Sequence, residues 1–273
     1  MNRLDRRFAE LKKNAGKALV GFVATGDPTL QVSLELITAM CHAGLDILEL
    51  GVPFSDPTAD GPVIQRAAAR ALRAGASLSK AIEMTKILRE KTDIPIILFS
   101  YYNPIFAYGA ESFYRDSRNA GADGVLVVDL SHEESGELTK YWERDGDFSL
   151  IRLVAPTTPK ERMREITKNA SGFLYLVSKT GVTGSAGVNT DSVRAQVHTL
   201  RAVSNLPICV GFGISSPSDA KAIAPHADGI VVGSAFERTI ETHLDDPGLV
   251  QRLEVQVREL KTALTPVVGN ARE

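Results

Sequence analysis

What most constrains the fold of this chain is a phrase that it repeats: a small residue, then Gly or Asp, then a short apolar run. It occurs as Ala43-Gly44-Leu45-Asp46 before Ile47, as Ala120-Gly121-Ala122-Asp123 before Val125, and as Ala227-Asp228-Gly229 before Ile230. A second phrase, Ile94-Pro95-Ile96-Ile97-Leu98-Phe99, returns as Leu206-Pro207-Ile208-Cys209-Val210. In each, a helix ends, the chain turns tightly, and an apolar run of strand length begins. Strands without a polar face are buried on both sides, which is the condition of a parallel sheet covered by helices. Read this way, strands fall near 18–24, 46–51, 95–100, 123–129, 148–154, 172–177, 207–211 and 229–232. Helices fall near 30–42, 62–74 with 78–91, 111–120, 132–145, 159–169, 191–204, 217–224 and 248–264, with an extra one at 3–13. Eight βα units predict an α/β protein closed into a (β/α)8 TIM barrel, one domain over residues 1–273 with an added N-terminal helix. A doubly wound open sheet is the alternative topology.

The length, 273 residues, suits such a barrel. With 31 basic and 33 acidic residues and no basic run, the surface offers nothing to nucleic acid. No apolar run approaches the roughly 20 residues that span a bilayer. The N-terminal stretch carries Leu4, Phe8 and Leu11 at amphipathic-helix spacing among mixed charges, unlike a signal peptide. Cys41 and Cys209 read as reduced core residues, and the expected location is cytoplasmic.

In a barrel, chemistry collects where strands end and βα loops begin. There the run Ile47-Leu48-Glu49-Leu50-Gly51 places a carboxylate inside an apolar strand, on the face shared with Ile47. A carboxylate in apolar surroundings pairs or takes up a proton. Glu49 is therefore a structural carboxylate or, in this loop context and favoured, an acid–base group. The loop that follows, from Val52 to Gly61, carries Asp56 and Asp60; Asp60 could cap the helix begun by Pro62 or act in chemistry, and spacing alone does not separate the two. A buried acid and a more exposed one together suit a reaction in which a proton is both given and taken. Tyr102, Asp129 and Tyr175 map to the same rim, Tyr175 as either a packing residue or a participant.

Gly211-Phe212-Gly213 ends the seventh strand, and Gly233-Ser234 ends the eighth before a short helix near 236–239. Gly residues after these two strands, with a helix start, form the usual phosphate position of a barrel. The segment 178–190 is too long and Gly-rich for a mere connection and reads as a lid or as disorder. Its Gly181-Val182-Thr183-Gly184 has neither the Lys of a nucleotide loop nor a dinucleotide spacing. The five histidines show no ligand spacing, and Lys17, Lys160 and Lys179 are not embedded in apolar strands, so no metal and no Schiff base are expected.

These residues carry a resemblance. Leu48 through Pro57 (Leu-Glu-Leu-Gly-Val-Pro-Phe-Ser-Asp-Pro), Ala59-Asp60-Gly61-Pro62, Tyr102-Asn103-Pro104-Ile105, Ala155-Pro156-Thr157-Thr158, Gly181-Val182-Thr183-Gly184 and Gly211-Phe212-Gly213-Ile214-Ser215 resemble the tryptophan synthase α subunit family over essentially the whole chain. The resemblance implies a barrel lyase without a cofactor that cleaves indole-3-glycerol phosphate to indole and glyceraldehyde 3-phosphate. It implies that Glu49 is acid and base, that Asp60 steadies the indole N–H, and that Tyr175 flanks the acid. Phe22, Tyr102 and Phe212 would wall the indole, and Gly184, Gly213, Gly233 and Ser234 would hold the phosphate. Pro53, Asp56, Pro57, Asn103 and Pro104 would meet a tryptophan synthase β subunit in an αββα assembly. Thr58 and Ser131-His132 depart from the usual family residues, in or beside loops used for closure and partner contact.

Overall fold

The computed structural model describes residues 1–142, 145–178, 189–211 and 213–265. Eight parallel strands close in sequence order: β1 (Ala18–Ala24), β2 (Ile47–Gly51), β3 (Ile96–Ser100), β4 (Gly124–Val127), β5 (Ser149–Val154), β6 (Leu174–Val177), β7 (Ile208–Gly211) and β8 (Gly229–Val232), the last pairing with β1. Around them lie α1 (Arg3–Lys13), α2 (Leu30–His42), α3 (Pro62–Arg73), α4 (Leu78–Arg89), α5 (Tyr102–Tyr108), α6 (Ala110–Ala120), α7 (Gly136–Thr139), α8 (Lys160–Lys168), α9 (Thr190–Arg201), α10 (Pro217–Ile223), α11 (Ser234–Thr242) and α12 (Leu249–Leu264). The closed barrel, and not the open sheet, is the architecture.

The repeated phrase has a physical job. Gly44 and Gly121 take φ of +115° and +90°, values that favour glycine, and let the next amides, of Leu45 and Ala122, reach back to the Met40 and Ser117 carbonyls. The Asp that follows caps a neighbouring strand. Asp46, Asp123 and Asp228 each accept an N–H at the start of the strand beside them, from Leu19 (2.7 Å), Ile96 (2.8 Å) and Ile208 (2.8 Å). Each is also paired with a cation, Lys261, Arg89 or Arg201. The bottom of a parallel sheet exposes unpaired strand amides, and these carboxylates satisfy three of them.

Alternation along each strand divides the apolar residues into two layers. Leu48, Leu50, Leu98 and Val125 face the helices. Val20, Ile47, Ile97, Leu126, Ile151, Phe173 and Val231 fill the barrel. Leu4 and Phe8, one turn apart on α1, close its N-terminal end, Phe8 against Phe173 at 6.0 Å between ring centres. Gly172 there has φ +75°, and a Cβ on it would stand 2.9 Å from Leu4. A buried Phe contributes about 1.5–3 kcal/mol, so this plug is a substantial part of the core.

Three elements differ from the sequence reading. The expected helix at 132–145 shrinks to Gly136–Thr139, because Ser131 and Ser135 bond to nearby backbone in place of a helical ladder. The segment around Asn103-Pro104, where the sequence reading places no helix, is helix α5; Pro104 sits in its first turn, where amides lack partners anyway. The short helix expected near 236–239 extends over Ser234–Thr242. Most of the predicted lid, 179–188, lies outside the described residues, as do Gly184 and Phe212.

Candidate active site

The rim formed by the C-terminal strand ends gathers most of the sequence candidates. Glu49 pairs in register with Phe22 of β1 and Ile97 of β3, and its side chain is 0% exposed. Neither carboxylate oxygen has a hydrogen-bond partner among the described residues. Burial alone raises its pKa to about 8, so at neutral pH Glu49 is a protonated acid. Tyr175, from β6, is buried beside it. Burial, followed by the negative charges of Glu49, Cys209 and Asp60, holds its phenol well above its ordinary pKa, so it remains a hydrogen-bond donor. Gly211 gives Tyr175 its room: a Cβ there would lie 2.2 Å from the phenol oxygen.

Asp60 reaches the site on the loop between β2 and α3. The loop is braced by Thr58 N–H to the Asp56 carbonyl (2.9 Å) and Asp60 N–H to the Pro57 carbonyl (3.1 Å). Tyr101, the residue after β3, organises it: its phenol accepts the Ala59 N–H at 2.9 Å and bonds the Asp60 carboxylate. Burial lifts Asp60 to about 6 against the opposing pull of that bond. Two carboxyl groups thus stand at different proton affinities in one rim, the buried one as acid and the half-buried one mostly ionised at pH 7.

Phe22 meets Phe99 edge to face at 5.0 Å, and together they form an apolar wall. Gly51 and Gly233 lie against this ring, a Cβ on either coming within 2.6 Å and 3.2 Å of Phe22. Tyr102 is not brought to the pocket. Its ring packs on Phe106 (6.1 Å) and beside Glu137, while its N–H donates to Asp129 at 2.7 Å. Tyr101 is the residue that sequence reasoning missed, and the signal was present: counting by two from the inward Ile97 reaches Phe99 and Tyr101, never Tyr102.

On the Phe22 side of the mouth, Gly233 precedes α11, for which no side chain among the described residues supplies a cap. The leading amides of a helix have no carbonyl within it, so those of Ser234, Ala235 and Phe236 point a partial positive charge into the rim. Gly213 adopts φ +82° after β7, so the backbone there takes a turn that favours glycine. Of the residues expected at an interface, Asp56 and Asn103 are exposed and Pro57 and Pro104 half-buried, whereas Pro53 is buried. Phe106, 68% exposed beside them, is a large apolar side chain facing solvent.

Barrel and rim define a class: a (β/α)8 enzyme with a buried acid, a second carboxyl of lower proton affinity and a helix N-terminus at one rim. Residues 8–265 match the family described as tryptophan synthase alpha chain. A tryptophan synthase alpha chain of Desulfatibacillum aliphaticivorans is 57% identical over 96% of this chain and 99% of that one, and one of Desulfosudis oleivorans is 58% identical over the same shares. Among solved structures, tryptophan synthase subunit alpha of Legionella pneumophila superposes with a TM-score of 0.89 at 36% identity, covering 97% of this chain and 98% of that one. A chain of Mycobacterium tuberculosis tryptophan synthase gives 0.89 at 32% identity, over 97% and 99%. The chain belongs to the tryptophan synthase alpha chain family.

Proposed function

We propose that this chain is the lyase that cleaves indole-3-glycerol phosphate to indole and glyceraldehyde 3-phosphate in tryptophan biosynthesis. The observation that carries the reading is Glu49, a fully buried acid at the rim, without a hydrogen-bond partner among the described residues and protonated at neutral pH. The Glu49 carboxyl gives its proton to the indole C3. Positive charge then develops on the ring nitrogen, where the Asp60 carboxylate accepts the N–H and stabilises it. Glu49, now a carboxylate, takes the proton from the side-chain hydroxyl; the carbonyl forms as the carbon–carbon bond breaks, and its electrons restore the indole ring. Tyr175 holds the acid's surroundings and donates to the substrate side chain. The amides of Ser234 and its neighbours, with Gly213, Gly233 and Gly184, hold the phosphate without a basic side chain. Phe22 and Phe212 line the indole, with Tyr101 taking the part first given to Tyr102.

The family pairs with a β subunit. For this chain we propose an αββα assembly in the cytoplasm, with docking on Asp56, Pro57, Asn103 and Pro104, to which exposed Phe106 adds an apolar contact. The test is indole release from indole-3-glycerol phosphate, alone and with a β subunit. Glu49→Gln is expected to lower turnover at least about a hundredfold, the scale of acid–base catalysis, with folding intact. The β subunit is expected to raise it at least about tenfold by ordering the Asp60 loop. Near-normal turnover in Glu49→Gln overturns the assignment.

A further inference from the structure

A group of buried charges outside the rim joins the loop after β1 to α3 and α11. Asp27, in the loop after β1, is 0% exposed and receives Arg70 of α3 in a two-point pair, Nε at 2.8 Å and Nη2 at 2.7 Å. The third arm of Arg70, Nη1, reaches Glu241 of α11 at 2.9 Å. Glu241 also takes two bonds from Arg66, one turn before Arg70. One turn before Glu241 stands Glu237, also 0% exposed. Its Oε1 accepts the N–H of Ala24, where β1 ends, at 2.6 Å. Its Oε2 finds no donor among the described residues. That oxygen gains a partner if Glu237 itself carries the proton and donates it to Asp27, the arrangement its raised pKa favours: burial first, then the charge of Asp27.

The two ends of this network are the two halves of the site. The Glu237 N–H bonds the carbonyl of Gly233 at 3.1 Å, closing the first turn of α11, whose leading amides face the phosphate position. Arg70 lies on α3, which begins two residues after Asp60, and Gln65 of that helix holds the Asp60 carbonyl at 2.8 Å. A buried ion pair is a poor way to gain stability, since apolar replacements of equal volume often do as well. Its yield is fixed direction and distance.

Resting on the function proposed above, we propose that Asp27, Arg70 and Glu237 are positioning residues for the cleavage: they lock the phosphate-holding end of α11 to the helix that follows Asp60, and so set where that carboxylate stands relative to a held substrate. They act through Asp60 and touch no reacting atom.

The experiment is a set of variants assayed for indole release, below their melting transitions and normalised to folded protein. Removing both partners of the pair together, Asp27→Asn with Arg70→Met, avoids an uncompensated charge. Because misplacement by about an ångström can lower a rate up to roughly a hundredfold, kcat is expected to fall at least about tenfold while KM changes less than about threefold. Glu237→Gln keeps an acceptor for Ala24 and an N–H donor for Asp27, and is expected within about twofold of the parent; Glu237→Leu, which keeps neither, is expected to fall with the pair. Asp60→Asn supplies the decisive comparison: introduced into an Asp60→Asn background, the double variant should cause little further loss, because the network acts through that carboxylate. Additive losses, a double variant with unchanged kcat, or a Glu237→Gln as impaired as Glu237→Leu each overturn the proposal. Should the double variant not fold, the Glu237 pair and its combination with Asp60→Asn decide alone. If Asp60→Asn by itself leaves kcat unchanged, the functional reading of Asp60 fails, a result separate from failure of the network.

Discussion

Glu49→Gln is expected to stabilise the protein as it disables it, by an amount that depends on pH. In the folded chain Glu49 is raised from 4.5 to about 8 by burial, with no partner among the described residues to offset it. As pH rises from 4.5 toward 8, the unfolded chain releases this proton and the folded chain keeps it. The unfolded state therefore gains, and wild-type stability falls across that window. At about 1.36 kcal/mol per unit, the penalty is below about 1 kcal/mol at pH 5 and about 3 kcal/mol at pH 7, and it levels off above pH 8. Glutamine is neutral in both states and keeps the shape, so the variant lacks this term. Urea unfolding of both proteins at pH 5, 6, 7 and 8 reads it directly as a widening gap between midpoints at unchanged slope. A gap that is the same at pH 5 and pH 8, or a variant less stable than the parent at pH 8, refutes the claim that Glu49 is held protonated by burial.

The same two carboxyls predict a bell-shaped pH profile of kcat/KM. It rises as Asp60 ionises near 6 and falls as Glu49 deprotonates near 8; activity still climbing at pH 9 would contradict it. Tyr101→Phe removes the bonds to Ala59 and Asp60 and should lower kcat/KM about five- to tenfold, the worth of roughly 1 kcal/mol, whereas Tyr102→Phe should stay within about twofold in the isolated chain. Equal effects would mean the tyrosine positions are misread. Gly211→Ala puts a Cβ 2.2 Å from the Tyr175 oxygen and should depress turnover; an unimpaired Gly211→Ala would show that Tyr175 moves freely.

The barrel was legible in the sequence because its strands are buried on both faces. Continuous apolar runs such as Ile96-Ile97-Leu98 are unlike a half-solvated sheet, and the Gly and Asp before them do local work at helix ends and strand starts. Glu49 was legible for the complementary reason: it breaks such a run. Tyr101 was hidden behind its twin, since two adjacent tyrosines just past β3 are told apart only by carrying the alternation of the strand one step beyond its end. Helix α5 was masked by Pro104, a breaker in most settings but tolerated in a first turn. The Asp27, Arg70 and Glu237 network gave no signal, because its members join positions as far apart as Ala24 and Glu237 and each looks like an ordinary surface charge in a list of residues.

The plug formed by Leu4 and Phe8 gives the molecule a direction. A barrel corked below has its one mouth at the rim, and on the function proposed above a planar apolar product made at Glu49 leaves past the loop that carries Asp60. Whatever rests on Asp56, Pro57 and Phe106 therefore stands in the path of the leaving indole, and its arrival should register first as a change in how fast that product escapes to bulk water.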